Sequence, residues 1–177
     1  PTGIPEINDF EIREISVKLK DKDQVLIKNL WISVDPYMRA RMINKKNYIP
    51  PFQINEPMEG SAIGVVEESN SKLFSKGDYI SSFFGWRDFF VAKEDEISKI
   101  NPIDVPIQTY LGPLGFTGHT AHVGLFKIGN LQKDRTILVS SAAGAVGSMV
   151  CQFAKIHGCK VFASTGSDEK VKWLIES

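Results

Sequence analysis

The sequence has few cysteines, no excess of charge of either sign and no long apolar run. Its 177 residues include two cysteines, Cys151 and Cys159, so we expect reduced thiols rather than a disulfide framework. Lysine plus arginine and aspartate plus glutamate both number 21, which leaves no basic stripe for nucleic acid or a membrane surface. No apolar run approaches the ~18 residues that a membrane-spanning helix needs. We therefore expect a cytoplasmic globular protein that binds neither nucleic acid nor membrane.

The first hundred residues have the pattern of short strands. Runs rich in β-branched and aromatic residues occupy 25–34, 63–67 and 78–84. Residues 86–91 are predicted to be the return arm of a hairpin. An acid followed by a proline, at 35–36, predicts the N-cap and first position of a short helix. Strands at this spacing indicate a small barrel or sandwich.

After a proline-containing connector at 101–106, the pattern changes to alternating strands and helices. Gly158 is predicted to stop the first of the two later helices, and Ser167 to cap the second. Strand, helix, strand, helix is the start of a parallel, doubly wound sheet. The predicted elements are a strand at 136–140, a helix at 145–157, a strand at 160–165 and a helix from 168 onward.

The most informative segment is the turn between the first of these strands and its helix. It leaves a strand of buried character, carries glycines at 144 and 147, and has Ala142 where a G-x-G-x-x-G pattern often has its first glycine. Such a turn lets the backbone approach a pyrophosphate and points free N–H groups at it. The alternative is an ordinary glycine-containing loop. No Gly-Lys-Ser/Thr follows, so the turn is not a P-loop.

The end of the second strand indicates which nicotinamide cofactor fits. NAD-binding proteins usually carry an acid there for the ribose 2′-hydroxyl, whereas residues 164–167 are small and uncharged. Lys170, one turn into the next helix, could reach a 2′-phosphate as a point charge. These features favour NADP(H). A solvated surface lysine is the alternative interpretation of Lys170.

Five short segments match one family, and together they extend over nearly the whole chain. They are 33–39, 111–115, 120–121, 142–147 and 166–171. They resemble the leukotriene B4 dehydrogenase/prostaglandin reductase (2-alkenal reductase) branch of the medium-chain dehydrogenase/reductase superfamily. The resemblance implies zinc-independent, NADPH-dependent reduction of the carbon–carbon double bond of α,β-unsaturated aldehydes and ketones, by cytosolic enzymes that are homodimers when full length.

The resemblance also implies a fold of class α/β plus β and a set of site residues. An incomplete GroES-like β-barrel, the substrate and catalytic domain, would occupy 1–110. The first β-α-β-α part of a Rossmann NADP-binding domain would occupy 111–177. Tyr37 would line the substrate pocket, although a packing tyrosine on a short helix is an equal alternative. The cofactor residues would be Thr120, Gly144, Ala145, Val146, Gly147, Gly166, Ser167 and Lys170.

Other features leave alternatives open. Relatives are about twice as long, so we expect the chain to be a fragment. His119 and His122 lie where relatives more often carry apolar or tyrosine residues, and no further ligands at a metal-site spacing accompany them, so no metal is expected. No residue is assigned as catalytic acid or base. A zinc-free quinone reductase, a non-catalytic NADPH-binding relative and a fragment that binds nothing remain as alternatives.

Overall fold

The chain divides into two compact units, Pro1–Ile107 and Gln108–Ser177. The structure is a computed structural model and describes residues 3–176. Within these residues, no helix combines the length and the apolar character needed to cross a membrane. The domain boundary predicted at 110/111 falls inside the 3-10 turn Ile107–Leu111.

The first unit is built on one antiparallel sheet of five strands, in the spatial order β4-β1-β2-β3-β5. Alternate residues of the strands face inward, so that Val25, Ile27 and Ile80 are fully buried in its core. A 3-10 turn, Ile7–Asp9, and a short helix α1, Tyr37–Arg41, lie outside the sheet. The strands are β1 (Gln24–Ile32), β2 (Ala62–Ser69), β3 (Tyr79–Ser82), β4 (Phe89–Lys93) and β5 (Ser98–Ile100).

The predicted hairpin at 86–91 is wrong. β4 pairs with β1, whereas β3 pairs with β2 and β5. The reason lies in Asn29 of β1, whose side-chain Nδ2 donates hydrogen bonds of 2.8 Å to the carbonyls of Phe84 and Arg87. Its backbone N–H also donates to the Asp88 carbonyl at 2.8 Å. These bonds hold the segment between β3 and β4 against the edge of β1 that does not pair with β2.

Helix α1 begins one residue later than the predicted start. Pro36 takes the N-cap position with helical angles, φ −57° and ψ −30°, and no side chain caps the helix. The backbone N–H groups of Met38 and Arg39 donate to the carbonyls of Asp35 and Pro36 at 3.1 and 3.2 Å. This tight first turn provides acceptors for backbone N–H groups that would otherwise donate to a capping carboxylate.

The second unit has the predicted strand–helix–strand–helix order, and the fold class is confirmed. β6 and β7 pair in parallel over four residue pairs, beginning with Thr136 opposite Lys160. Helix α2 continues directly into a π-helical turn, Val123–Ile128. The elements are α2 (Phe116–His122), β6 (Thr136–Val139), α3 (Ala145–Ile156), β7 (Lys160–Ala163) and α4 (Asp168–Glu176).

Both predicted helix boundaries beside β7 are confirmed. Gly158 takes φ +84°, its N–H donates to the Lys155 carbonyl at 3.0 Å, and the Cys159 N–H donates to the Ala154 carbonyl at 2.9 Å. This pair of bonds is a Schellman motif, which ends α3. Ser167 caps α4, since its Oγ accepts the Lys170 N–H at 3.4 Å.

The predicted burial of the strand before the glycine turn holds for one of its faces only. Val139 is buried, but Leu138 is 76% exposed and Phe162 of β7 is 51% exposed. Helix α3 packs against both strands. Because successive side chains of a strand alternate between the two faces, residues next to Val139 point away from its buried side.

Candidate cofactor site

The site begins with a strained turn that leaves β6. Ser141 adopts φ +49°, which is uncommon for a residue with a side chain. Its carbonyl accepts the Gly144 N–H at 2.9 Å, and the fully buried Ala142 donates its N–H to the Ser164 carbonyl at 3.0 Å. These bonds fix the turn to the segment that follows β7.

Within residues 3–176, the start of α3 presents three backbone N–H donors without hydrogen-bond partners. Ser148 is the first residue whose N–H is bonded back, to the Gly144 carbonyl at 2.9 Å. The N–H groups of Ala145, Val146 and Gly147 have no hydrogen-bond acceptor among the described residues, since Gly144 at the N-cap offers no side chain. The first turn of α3 contains no acidic residue. The helix dipole and these free donors together favour an anion at this position.

The two glycines of the turn have different structural roles. A Cβ on Gly147 would collide with the Ser141 carbonyl oxygen and lie 2.9 Å from the Ala142 Cα, so only glycine lets α3 pack this closely on the turn. A Cβ on Gly144 would lie 3.1 Å from the same carbonyl oxygen. Gly147 therefore sets the position of the helix, and glycine at position 144 is the residue type that lets a pyrophosphate approach the backbone in turns of this kind.

A cavity of about 520 Å³ lies beside the free donors. Its walls are largely apolar. Such a cavity suits a ligand that combines an anionic group with flatter, less polar parts. The lining residues are Leu125, Ile137, Leu138, Val139, Ser140, Ser141, Gly144, Val146, Gly147 and Val150.

The predicted residues after β7 lie at the same edge of the sheet as the glycine turn. The Ser164 N–H donates to the carbonyl of Val139, the last residue of β6, at 2.9 Å, which extends the parallel pairing one residue past the end of β7. Gly166 has no heavy atom within 4 Å of a Cβ built on it, so the space above it is open. Lys170 lies in the first turn of α4 and is exposed. The structure therefore brings Gly144–Gly147 and 166–170 to one edge.

Thr120 belongs to the same unit, on α2, which packs against α3. It is exposed, and its hydroxyl donates to the Phe116 carbonyl at 2.7 Å, so the remaining capacity of Oγ1 is as an acceptor. On the same helix the His122 ring lies 5.1 Å from Phe126 and 6.3 Å from Phe153, between centroids. Across residues 3–176, no group of three or more His, Cys, Asp or Glu side chains has the arrangement of a metal site.

Tyr37 lies in the other unit, on α1. Its ring stacks on Phe83 with centroids 6.4 Å apart. Burial raises the pKa of the Tyr37 phenol and the charge of Asp35 raises it further, while the charge of Arg41 lowers it. Arg41 itself is 4% exposed, a burial that is rare for arginine. Sequence reasoning missed Arg41, because nothing in the sequence distinguishes it from Arg39, which is only partly buried.

A strand, a glycine-containing turn, a helix and a second parallel strand are typical of dinucleotide-binding α/β units. The comparisons with known proteins agree with this class. A family model described as the N-terminal domain of oxidoreductase matches residues 1–100. The chain belongs to this oxidoreductase family, in the medium-chain dehydrogenase/reductase branch whose members include NADP-dependent alkenal, curcumin and prostaglandin reductases.

Individual relatives match almost the whole chain. A putative NADP-dependent oxidoreductase of Bacillus subtilis is 42% identical over 98% of the chain, and the NADP(+)-dependent 2-alkenal reductase of Nicotiana tabacum is 40% identical over 98%. The crystal structure of CurA from Vibrio vulnificus in complex with NADPH superimposes with a TM-score of 0.90 at 32% identity over 100% of the chain. The chain spans about half the length of these proteins, 51%, 52% and 52% respectively.

Proposed function

We propose that this chain carries the phosphate-binding turn of an NADPH-dependent reductase that reduces the carbon–carbon double bond of α,β-unsaturated aldehydes or ketones. The observation that carries the proposal is the set of three unpaired backbone N–H groups at the start of α3, beside a strand end without an acid. The tobacco relative is an NADP(+)-dependent 2-alkenal reductase and the Vibrio relative binds NADPH, which supports the proposal. When bound, NADPH would supply the hydride for the reduction.

The residues of the second unit fit this cofactor. The N–H groups of Ala145, Val146 and Gly147 would donate to the pyrophosphate, with Gly144 keeping the approach open. Thr120 would accept a hydrogen bond close to the cofactor through Oγ1. Because the donors are fixed by backbone hydrogen bonds, they need little reorganisation when a charged ligand binds.

The preference for the 2′-phosphate would come from the segment after β7. Gly166 and Ser167 leave room and carry no charge that repels a phosphate, and Lys170 would contribute a positive charge from the exposed first turn of α4. An acid at this strand end would instead favour the free 2′-hydroxyl of NAD.

The remaining parts of the proposal concern the substrate and the assembly. Tyr37 would form part of the substrate pocket wall, and burial raises the pKa of its phenol, which further favours the protonated form that can donate a hydrogen bond. We propose zinc-independent chemistry in a cytoplasmic protein that is a homodimer when full length, in keeping with the resemblance noted from the sequence.

The charge of Lys170 is the part of this proposal that a binding experiment tests directly. In wild-type protein we expect NADPH to bind at least about tenfold more tightly than NADH, because a charged hydrogen bond to the 2′-phosphate is lost with NADH. Lys170→Met should remove most of this difference without weakening NADH. Calorimetric titration gives both affinities. Lys172→Met, two residues further along α4 and also exposed, is the matched control and should keep the preference.

Equal affinity of wild-type protein for NADPH and NADH would remove Lys170 from its proposed role.

A second experiment distinguishes the possible substrate classes. The protein is incubated with NADPH and either a 2-alkenal or a quinone, and oxidation of NADPH is followed by its loss of absorbance. Consumption with the alkenal supports the proposal, and consumption with the quinone alone supports the quinone reductase alternative. Tight NADPH binding without consumption on either substrate indicates a non-catalytic relative.

A further inference from the structure

The segment that joins α1 to β2 has almost no structure of its own. Residues 43–59 form no helix or strand, and most of their side chains are exposed. A segment of this kind is held in place by contacts with its neighbours, because it lacks both a hydrogen-bonded ladder and a buried apolar face.

One residue of α1 contacts this segment at three separate places. The guanidinium of Arg41 donates from Nε to the Pro50 carbonyl at 2.8 Å and from Nη2 to the Glu59 carboxylate at 2.6 Å. Its centre lies 4.1 Å from the centroid of the Phe52 ring. The backbone carbonyl of Arg41 accepts the Phe52 N–H at 2.8 Å. Arg41 thus joins the middle and the end of the segment to the helix.

The arrangement depends on the shape of the guanidinium as well as on its charge. Its planar fork reaches a carbonyl and a carboxylate in fixed directions while one face stacks on an aromatic ring, which a lysine ammonium cannot do. Nη1 is buried and has no hydrogen-bond partner among the described residues.

Arg41 also places the segment close to Tyr37. The two residues are four apart on α1 and therefore lie on the same face of the helix. The electrostatic effects of Tyr48 and Glu59, which belong to the segment, both raise the pKa of Tyr37 after the larger effect of its own burial. Because Arg41 bonds Glu59 and lies one turn from Tyr37 on the same face of α1, the end of the segment lies near the tyrosine that we propose as pocket wall.

We propose that Arg41 is a positioning residue that clamps the 43–59 segment onto α1 and so completes the wall of the substrate pocket beside Tyr37. Only the assignment of this region as a substrate pocket rests on the proposed function. The contacts of Arg41 with the segment do not depend on it. Arg41 acts through the segment and is not proposed to touch the reacting atoms.

Hydrogen exchange of the Phe52 amide tests the clamp without cofactor or substrate. This amide is bonded to the backbone carbonyl of Arg41, so replacing the side chain leaves the bond intact unless the segment moves. We expect Arg41→Lys and Arg41→Met to exchange this amide about tenfold faster or more, since charged hydrogen bonds of the fork are lost. Glu59→Gln keeps an acceptor and should give a smaller increase. Lys99→Met removes an ion pair of the same 2.6 Å length, to Asp78, and is the matched control.

The pKa of Tyr37, followed by NMR of the labelled phenol ring, separates the clamp from the charge. Arg41→Lys keeps the positive charge, so release of the segment should lower this pKa, because the raising effects of Tyr48, Glu59 and burial are weakened. Arg41→Met also loses the positive charge, so the Tyr37 pKa should be higher in Arg41→Met than in Arg41→Lys. If Arg41→Met fails to fold, Arg41→Lys and Glu59→Gln still decide the question. Phe52 exchange at the wild-type rate in the folded Arg41 variants would overturn the proposal.

The same variants distinguish failure of the clamp from failure of the proposed function. Exchange at Phe52 does not depend on NADPH. A failure of the NADPH preference in the Lys170 experiment would therefore not contradict the clamp, and wild-type exchange at Phe52 would not contradict the proposed cofactor site. In the active enzyme, Arg41→Lys should raise KM for the alkenal with little change in kcat, because the pocket wall and not the chemistry is altered.

Discussion

At the scale of single residues, the glycine turn owes its shape to contacts that no other residue type could make. Gly147 is in direct contact with the turn, and the left-handed Ser141 provides the carbonyl against which it packs. Glycine at these spacings could be predicted from the sequence, because close approach of backbone to backbone requires it. The left-handed conformation of Ser141 could not be predicted, since serine has no marked preference for it.

Gly147→Ala should destabilise the chain by about 1–3 kcal/mol, because the new Cβ meets backbone atoms that cannot rotate away. The change is measured by urea unfolding followed by circular dichroism. Gly124→Ala is the control: it lies in the π-helical turn with no heavy atom within 4 Å of an added Cβ, so stability should stay level or rise. A Gly147→Ala protein as stable as wild type would show that α3 does not need this close packing.

At the scale of elements, local signals decided where helices end but not which strands pair. Gly158 ends α3 by adopting left-handed angles, and the Ser167 hydroxyl caps α4 by accepting a backbone hydrogen bond. Both interactions form between residues that are close in the sequence. The pairing of β4 with β1 depends on Asn29, 59 positions before Asp88, so adjacency along the chain misled the hairpin prediction. Contacts between distant residues leave no such local pattern.

Gly158→Ala should cost about 1–2 kcal/mol, since an alanine must adopt the left-handed angles of the Schellman motif. Gly158→Asn should cost less, because asparagine tolerates this region. Thermal unfolding of the three proteins at one concentration orders them as glycine, asparagine, alanine from most to least stable. The order would be contradicted if the alanine variant matched wild type.

At the scale of the whole molecule, the chain combines an antiparallel sheet unit with a β-α-β-α unit, and each carries a different part of the proposed reductase. The class of fold and the glycine turn could be predicted, because both depend on patterns of residues that are consecutive in the sequence. The burial of Arg41 could not be predicted, because it arises only when residues 50–59 return to α1. The claim on which the account depends most is that three backbone N–H groups bind the pyrophosphate of the cofactor.

The most direct test is an amide NMR titration of the isotope-labelled chain with NADPH. The account predicts that the N–H resonances of Ala145, Val146 and Gly147 shift most within the second unit, because their free donors acquire phosphate oxygens as acceptors. Inorganic pyrophosphate should shift the same three resonances at higher concentration. Saturating NADPH that shifts resonances elsewhere and leaves these three unchanged would contradict the central claim.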